Sequence, residues 1–310
     1  MSRIVIAGGS GFLGQALAAA LARDGSEIVL LSRNPARGPQ PQVGRPVGWN
    51  PTGSAGPWAA ELDGADAVVN LAGESIAARR WSAAQKARIR DSRILATRSL
   101  TDAMGRMNRP PATLINGSAV GFYGACGDEE VTEQTPAGRD FLADVCVRWE
   151  AEATSAAPRA TRVVCVRTGL VLDRRNGALP RMLLPFWLGV GGPVGSGRQY
   201  WPWIHVGDWV DLVRFAIRTP ALDGPVNATS PAPITNREFA RALGRALHRP
   251  ALVSTPGLAL KLVLGEMAEA LLLTGQRAIP AKGLQHGFTF RFATVDEALQ
   301  DLFSSPGSPH

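Results

Sequence analysis

The hydrophobic and polar positions of the first 172 residues alternate between two patterns. Short apolar runs, typical of strands buried on both faces, are followed by longer segments in which apolar residues recur every three or four positions, as in amphipathic helices. The runs predict strands at residues 3–8, 27–33, 45–50, 65–73, 113–119 and 162–172. The longer segments predict helices at residues 11–24, 82–107 and 139–153. This alternation predicts an α/β fold, a Rossmann-like doubly wound parallel sheet flanked by helices.

After residue 173 the pattern is less regular. Residues 189–199 form a glycine-rich stretch, which is typical of a loop. Capping patterns predict three further helices, which begin at Asp208, Thr235 and Thr294, with Asp208 itself as a helix cap. The second half of the chain is therefore predicted to form a smaller mixed α/β region.

The charge of the chain does not point to a nucleic-acid partner. The net charge is +7 and the pI is about 10.1, but lysine occurs only at Lys86, Lys261 and Lys282. The arginines are scattered along the chain, without a basic block or a basic stripe that alternates with aromatic residues. We therefore expect no binding of nucleic acid.

Cysteine usage and hydropathy limit the location of the protein. Cys126, Cys146 and Cys165 are odd in number and lack metal-ligand spacing, which favours a reducing, cytoplasmic location and no metal site. The longest apolar stretch, residues 258–273, contains three charged residues and is too short to cross a bilayer. We therefore expect no membrane partner.

Glycines at positions 8, 11 and 14 lie between the first predicted strand and the first predicted helix. This is the context that a dinucleotide-binding turn requires, because glycine lets a pyrophosphate approach the backbone and the helix N-terminus offers free N–H groups. The predicted cofactor-binding residues of this turn are Gly8, Ser10, Gly11, Phe12, Leu13 and Gly14. A plain structural turn is the alternative.

The end of the second strand predicts which dinucleotide is bound. NAD-binding proteins usually place an acidic residue there to accept hydrogen bonds from the ribose hydroxyls. This chain has Ser32 and Arg33 instead. An arginine can bind a 2′-phosphate bidentately, so the pattern favours NADP(H) over NAD(H). The alternative is an ordinary surface arginine.

Several motifs together resemble the extended short-chain dehydrogenase/reductase (SDR) superfamily, which contains the nucleotide-sugar epimerases. They are the glycine turn, the segment Asn70-Leu71-Ala72-Gly73 after the fourth strand, Ser118 within SAVGFYG, and RQYWPWIHVGD at 198–208. More narrowly, the chain resembles an atypical branch, the epimerase family proteins, in LAGESIAARRW (71–81), DSRILATRSL (91–100), LPFWLGVGGPVGSGRQYWPWIHVGD (184–208) and IPAKGLQHGFTFRF (279–292). The resemblance implies an NADP-binding fold with cofactor contacts from Leu71, Ala72, Gly73, Arg93 and Ser118.

The change in pattern after residue 173 also predicts a division of the chain. Residues 1–172 are expected to form an NAD(P)-binding Rossmann domain, to which residues 200–230 return. Residues 173–310 are expected to form the smaller, substrate-side region. Within it, residues 250–300 resemble a C-terminal domain of unassigned function that is specific to this branch.

The chain departs from the superfamily at its usual catalytic pair. Typical members carry Tyr-x-x-x-Lys, in which the tyrosine exchanges a proton and the lysine lowers the tyrosine pKa. The two tyrosines here, Tyr123 and Tyr200, are followed four positions later by Gly127 and Ile204, and no lysine lies between residues 87 and 260. The usual pair is therefore absent.

The helix predicted at 139–153 indicates what replaces the pair. Matching this helix to the superfamily pattern through Glu150 places Leu142 at the tyrosine position and Cys146 at the lysine position. Neither leucine nor a buried thiol exchanges protons readily at neutral pH. We therefore expect that any proton transfer relies on a group elsewhere.

Ser118 and Tyr123 are the candidate catalytic residues. Ser118 is expected to hydrogen-bond a substrate oxygen, and Tyr123 to lie near the nicotinamide. The alternatives are a serine that caps the strand end and a packed aromatic ring. Cys146 is more typical of a small buried side chain, and His205 of a residue that orders the loop before Asp208.

The sequence supports two functions. The first is an NADP(H)-dependent oxidoreductase or sugar-nucleotide-epimerase-like enzyme acting on a small-molecule carbonyl or alcohol, free or linked to a nucleotide. The second is a non-catalytic NADP(H)-binding redox sensor or scaffold protein, which the missing pair motivates. The oligomeric state is open, with a homodimer among the alternatives.

Overall fold

The computed structural model describes residues 1–35, 43–156 and 160–304 of the 310-residue chain. In chain order the strands are β1 (Arg3–Ala7), β2 (Glu27–Ser32), β3 (Arg45–Gly48), β4 (Ala67–Asn70), β5 (Thr113–Ala119), β6 (Glu130–Val131), β7 (Arg162–Thr168), β8 (Leu170–Leu172), β9 (Tyr200–Trp201), β10 (Trp203–His205), β11 (Gly224–Ala228), β12 (Ile234–Thr235) and β13 (Arg277–Ala278). The α-helices are α1 (Phe12–Arg23), α2 (Ala83–Gly105), α3 (Phe141–Ala156), α4 (Leu179–Trp187), α5 (Val206–Arg218), α6 (Asn236–Leu247), α7 (Gly257–Leu264), α8 (Glu266–Ala268), α9 (Ala281–Gln285) and α10 (Val295–Ser304).

Seven strands form one parallel sheet, in the order β11-β7-β5-β4-β1-β2-β3. This arrangement confirms the predicted α/β fold with a Rossmann-like parallel sheet. The chain builds the sheet outward from β1 in two directions, so the strand order reverses between β1 and β4. Ligands of open α/β sheets bind outside the carboxyl ends of the strands at such a reversal.

The register aligns the carboxyl ends of the central strands. Ala7 of β1 pairs with Leu31 of β2 on one side and with Asn70 of β4 on the other. Asn70 in turn pairs with Asn116 of β5. The residues that follow β1, β2 and β4 therefore emerge at one edge of the sheet, the carboxyl edge, while β5 continues to Ala119 alongside β7.

Helices cover both faces of the sheet. On one face α1 and α5 pack Leu17 and Trp209 against Ile6 of β1. On the other face α2 and α3 form a second core, which contains Leu100 of α2 and Val5 of β1. Successive residues of β1 thus enter opposite cores, which explains why the strand is apolar at every position after Arg3.

The rest of the chain forms the predicted smaller mixed α/β region. Its core is made from α4, β10, α6 and α10, with Leu183, Trp203, Phe239 and Leu299 among the buried side chains. Three short ladders pair β8 with β10, β9 with β12, and β6 with β13. The last of these joins the segment after β5 to the C-terminal part of the chain.

Glu133, which follows β6, holds the C-terminal part against the sheet. One carboxylate oxygen accepts from the backbone N–H of Asn227 in β11 (2.9 Å), and the other accepts from the N–H of Lys282 in α9 (3.2 Å). The Asn227 side chain donates to the carbonyl of Ile279 (2.9 Å). These bonds connect the edge of the large sheet to residues near the end of the chain.

The predicted strand at 162–172 is two strands. It divides at Gly169, where a Cβ atom would lie 2.2 Å from the carbonyl oxygen of Pro202. β7 stays in the large sheet, and β8 leaves it to pair with β10. The apolar pattern continues across the division because both halves are buried, so the pattern alone does not reveal it.

The prediction that Asp208 caps a helix is wrong. α5 begins at Val206, and the side chain of His205 is its N-cap, accepting from the Gly207 N–H (3.0 Å). Asp208 lies inside the first turn and is buried, with its carboxylate accepting from the N–H groups of Arg291 and Phe292 (2.9 and 3.0 Å). Tertiary contacts with a distant segment therefore outweigh the local capping preference of aspartate.

Candidate functional site

The glycine turn lies at the carboxyl end of β1 and leads directly into α1. Gly8 has a φ of +77°, and a Cβ atom there would lie 2.8 Å from the carbonyl carbon of Leu71. The Gly11 N–H donates to the Gly8 carbonyl (3.0 Å) and closes the turn. A Cβ atom at Gly14 would lie 2.7 Å from the same carbonyl oxygen. Since the obstructing atoms belong to the backbone, positions 8 and 14 accept only glycine without a shift of the chain.

The N-terminus of α1 is open. Gly11 is the N-cap residue, no side chain caps the first turn, and that turn contains no acidic residue. Ser10 and Gly11 are exposed, whereas Phe12 and Leu13 are partly buried. The uncapped N–H groups and the helix dipole make this turn a suitable place for an anion.

Ser32 and Arg33 lie at the end of β2, next to the glycine turn in the sheet. The Gly8 N–H donates to the carbonyl of Leu31 (3.2 Å), which fixes the two strand ends together. The Arg33 side chain is exposed and has no hydrogen-bond or ion-pair partner within residues 1–35, 43–156 and 160–304. Among the described residues, no side chain or carbonyl therefore holds its guanidinium at the strand end.

The loop after β4 completes the carboxyl edge. The Leu71 N–H donates to the Ala7 carbonyl (2.9 Å), and Gly73 is exposed. Arg93 of α2 supports this loop, because its guanidinium donates to the Glu74 carbonyl (3.0 Å) and lies so close that a Cβ atom on Gly73 would be 3.0 Å from its Cζ. Burial lowers the pKa of Arg93 from its usual value.

A buried polar network below this loop was missed from the sequence. The Asn70 amide donates to Thr97 (2.9 Å) and to the Asn116 oxygen (2.8 Å), and the Trp149 indole donates to the Thr97 hydroxyl (2.9 Å). These residues come from β4, β5, α2 and α3. The signal in the sequence is a fully buried asparagine after two or three apolar residues in each strand, at the end of β4 and in the middle of β5.

Ser118 belongs to a second buried polar group. Its hydroxyl donates to the Glu150 carboxylate of α3 (2.6 Å). The same carboxylate accepts two bonds from Arg167 of β7, from Nε (2.9 Å) and Nη2 (2.8 Å). The side chains of Arg167 and Glu150 are only 4% and 12% exposed. The contact partner of Ser118 is thus a buried ion pair.

Tyr123 is attached to the same ion pair from the other side. Its hydroxyl donates to the Asn227 side chain (2.6 Å) and accepts from Arg167 Nη1 (3.0 Å). Burial raises the pKa of Tyr123 to about 12, although the Arg167 charge acts in the opposite direction. A phenol that is 3% exposed and bonded on both sides is better suited to hold Arg167 than to exchange protons with a ligand.

α3 carries Leu142 next to Gly121 and Cys146 next to Ala119, both in the segment that follows Ser118. A Cβ atom on Gly121 would lie 3.2 Å from the Leu142 Cβ. The Cys146 thiol donates to the Ala119 carbonyl (3.7 Å), and burial raises its pKa to about 11. Leucine offers no proton, and the thiol keeps its proton at neutral pH, so neither replaces the Tyr-x-x-x-Lys pair.

We predict that the protein loses stability as the pH rises above about 8.5, the ordinary pKa of a thiol. Burial raises the pKa of Cys146 to about 11 and that of Cys165 to about 12, so the native state keeps protons that the unfolded chain releases. The unfolded state then binds fewer protons, and the free energy of unfolding falls by up to ~1.4 kcal/mol per pH unit for each thiol. Urea titrations between pH 8 and about 10.5 measure this slope.

A Cys165→Ala variant serves as the control for this pH dependence. Removing one of the two buried thiols should make the slope shallower by roughly the contribution of one group. An unmodified protein whose free energy of unfolding stays constant over the whole range would contradict the assignment of raised pKa values to these thiols.

Metal sites and membrane spans are both absent from residues 1–35, 43–156 and 160–304. No group of three or more His, Cys, Asp or Glu side chains there could hold a metal ion. None of the helices in these ranges is both long enough and apolar enough to cross a membrane.

Family models match two parts of the chain. The model of the NAD dependent epimerase/dehydratase family matches residues 4–228, which include the glycine turn, Ser118 and Arg167. A domain of unknown function (DUF1731) matches residues 255–302.

Relatives match over almost the full length. The epimerase family protein Mb2239 of Mycobacterium bovis is 46% identical over 306 residues, which is 98% of each chain. The epimerase family protein SDR39U1 of Homo sapiens is 37% identical over 303 residues, 97% of this chain and 99% of that relative. The crystal structure of human SDR39U1 (isoform 2) with NADPH is 36% identical, with a TM-score of 0.89, over 98% of this chain and 100% of that one.

Proposed function

The chain belongs to the NAD dependent epimerase/dehydratase family, as an SDR39U1-like epimerase family protein with a C-terminal DUF1731 domain, and we propose that it binds NADP(H) at the carboxyl edge of its sheet. The observation that carries this proposal is the turn at Gly8, where the backbone of the loop after β4 leaves no room for a side chain. The human relative, which was crystallised with NADPH, supports the same cofactor here.

The residues at the carboxyl edge fit a dinucleotide. The uncapped N–H groups of α1 would hold the pyrophosphate, since Gly8, Gly11 and Gly14 keep side chains away from it. Arg33 would bind the 2′-phosphate, and the loop from Leu71 to Gly73 would border the ribose next to it. Arg93 would act through that loop, because its guanidinium is bonded to the loop carbonyl of Glu74.

We further propose that the protein is an oxidoreductase or an epimerase-like enzyme for a small carbonyl or alcohol. A bound nicotinamide supplies hydride transfer. Ser118 lies at the end of β5 on the side of the α3 helix and would contact the reacting oxygen. The test is a screen of alcohols with NADP⁺ and of carbonyls with NADPH, followed by nicotinamide absorbance. Absence of turnover across a broad panel would count against an enzyme.

Replacing Arg33 with alanine should weaken NADPH binding about 10- to 100-fold and leave NADH binding unchanged. Hydrogen bonds to a charged group contribute ~1.5–3 kcal/mol, which corresponds to that range of affinity. Fluorescence titration of both nucleotides against the unmodified protein and the Arg33→Ala variant measures the difference.

Arg241→Ala is a matched control for this titration. Arg241 is also an exposed arginine without a bonded partner in the described ranges, but it lies on α6 in the smaller region. Its replacement should not change either affinity. If the unmodified protein binds NADPH and NADH equally well, the proposed role of Arg33 is wrong.

A second candidate function is a non-catalytic NADP(H)-binding sensor or scaffold protein. The observation that favours it is the pair Leu142 and Cys146, which present no proton-exchanging group where the superfamily has tyrosine and lysine. This function requires tight NADPH binding without turnover and a protein partner whose affinity depends on the nucleotide. Pull-down experiments with and without NADPH separate it from the enzymatic function.

A further inference from the structure

A row of three polar residues crosses the carboxyl edge of the sheet and determines where the Ser118 proton points. Arg167 of β7 pairs in register with Ser118 of β5 and with Asn227 of β11. Register partners on neighbouring strands project to the same face. Glu150 of α3 meets Ser118 and Arg167 on that face, which makes the arrangement a property of the sheet rather than of a loop.

The hydrogen bonds of this row fix their own direction. A guanidinium only donates, and a carboxylate paired with it only accepts. The Glu150 carboxylate accepts hydrogen bonds from Nε and Nη2 of Arg167 and is therefore ionised. The Ser118 hydroxyl must then be the donor in its 2.6 Å contact with Glu150. The Cys146 thiol also lies within hydrogen-bonding reach of the Ser118 hydroxyl, but it is protonated and donates to the Ala119 carbonyl, so it accepts the Ser118 proton more weakly than the carboxylate does.

We propose that Ser118 presents only oxygen lone pairs to a ligand, and that the ligand-binding site therefore selects a hydroxyl donor over the corresponding carbonyl. This inference rests on the proposed function and specifies its substrate class, an alcohol. A carbonyl oxygen at this place would face lone pairs and lose a hydrogen bond, whereas an alcohol would donate one. The expected preference is about tenfold, the effect of one hydrogen bond.

Glu150 and Arg167 are positioning residues in this arrangement. They act on the ligand through Ser118, by holding its proton away from the site. The Tyr123 hydroxyl and the Phe122 ring hold Arg167 in turn, the first by a 3.0 Å hydrogen bond and the second with its centroid 3.4 Å from Cζ. The direction of the hydrogen bond from Ser118 to Glu150 thus depends on the position of Arg167, which Tyr123 and Phe122 fix.

Neutron diffraction from deuterium-exchanged crystals of the full-length protein tests the direction without any ligand. We expect nuclear density for deuterium between Ser118 Oγ and Glu150 Oε1, attached to Oγ. Deuterium attached to the carboxylate, or a Ser118 hydroxyl that points away from Glu150, would overturn the proposal. An NADPH titration of the same preparation keeps the two hypotheses apart, because loss of NADPH binding contradicts the proposed function and not the proton direction.

A matched pair of probes tests the selectivity. Cyclohexanol and cyclohexanone have the same ring and differ in the oxygen group alone, and ligand-observed NMR with saturating NADPH measures the affinity of each. We expect cyclohexanol to bind about tenfold more tightly. Ser118→Ala should abolish the preference, and Ser118→Thr, which keeps the hydroxyl, should retain it. The proposal would be overturned if cyclohexanol did not bind, or if cyclohexanone bound equally well or more tightly. A preference for cyclohexanol that survives in Ser118→Ala would also overturn it.

Discussion

Replacing Arg167 with methionine should lower the free energy of unfolding by ~3–5 kcal/mol, the usual cost of removing one partner from a buried ion pair. Glu150 would stay in the core as a charge without its guanidinium, because its side chain is only 12% exposed. The Tyr123 hydroxyl would also lose a donor. Urea titrations at neutral pH, compared with the unmodified protein, measure the change.

The chain provides a control of the same chemistry. Arg98 of α2 binds Glu152 of α3 with the same bidentate geometry (3.1 and 2.8 Å), but the Arg98 side chain is 50% exposed. Arg98→Met should therefore lower the free energy of unfolding by less than about 1 kcal/mol.

The combined variant Arg167→Met/Glu150→Gln removes both charges of the buried pair. This variant should recover part of the free energy of unfolding that Arg167→Met loses, because no unpaired charge then remains in the core. If Arg167→Met were no more destabilising than Arg98→Met, burial would not determine the contribution of the pair.

Replacing Gly8 with alanine should lower the affinity for NADPH at least about 100-fold. The added Cβ atom would lie 2.8 Å from the Leu71 carbonyl carbon and 2.9 Å from the Ala72 nitrogen, so the turn must move away from the loop after β4. Loss of one or two backbone bonds to a charged pyrophosphate, at ~1.5–3 kcal/mol each, accounts for that factor. Titration with NADPH by calorimetry measures it.

Gly25→Ala separates the two effects of the Gly8 substitution. Gly25 has a similar φ of +82°, but a Cβ atom added to it would meet no other atom within 4 Å, so alanine there adds backbone strain without a collision. We expect a modest loss of stability, on the order of 1 kcal/mol, and unchanged NADPH affinity. Normal NADPH binding by Gly8→Ala would contradict the location of the pyrophosphate at this turn.

The sequence predicted those parts of the fold that depend on neighbouring residues. The strand, the glycine turn and α1 form one continuous segment, so apolar periodicity and glycine spacing were sufficient to predict them. The Asp208 prediction failed because its carboxylate is bound by Arg291 and Phe292, more than eighty positions away. Local patterns contain no information on such partners.

The same limit explains what was missed at the candidate site. Ser118 was identified from its motif, but its partners Glu150 and Arg167 meet only through the register of β5 with β7 and the packing of α3. One signal was present in the sequence: Arg167 is a charged residue inside the apolar strand RVVCVRT. A buried charge requires a partner, so this position predicts an acidic residue nearby without identifying it.

Glu133 has a consequence for how this chain can be shortened or recombined. The two family models leave a gap between residues 228 and 255, which looks like a natural boundary for a fragment. Glu133 nevertheless binds the backbone of Asn227 before the gap and of Lys282 after it. In a fragment that ends in the gap, the carboxylate oxygen of Glu133 that accepts from the Lys282 N–H would lose its hydrogen-bond donor. We therefore expect the two matched segments to stabilise each other, so that a gene fusion or chimera should exchange them together.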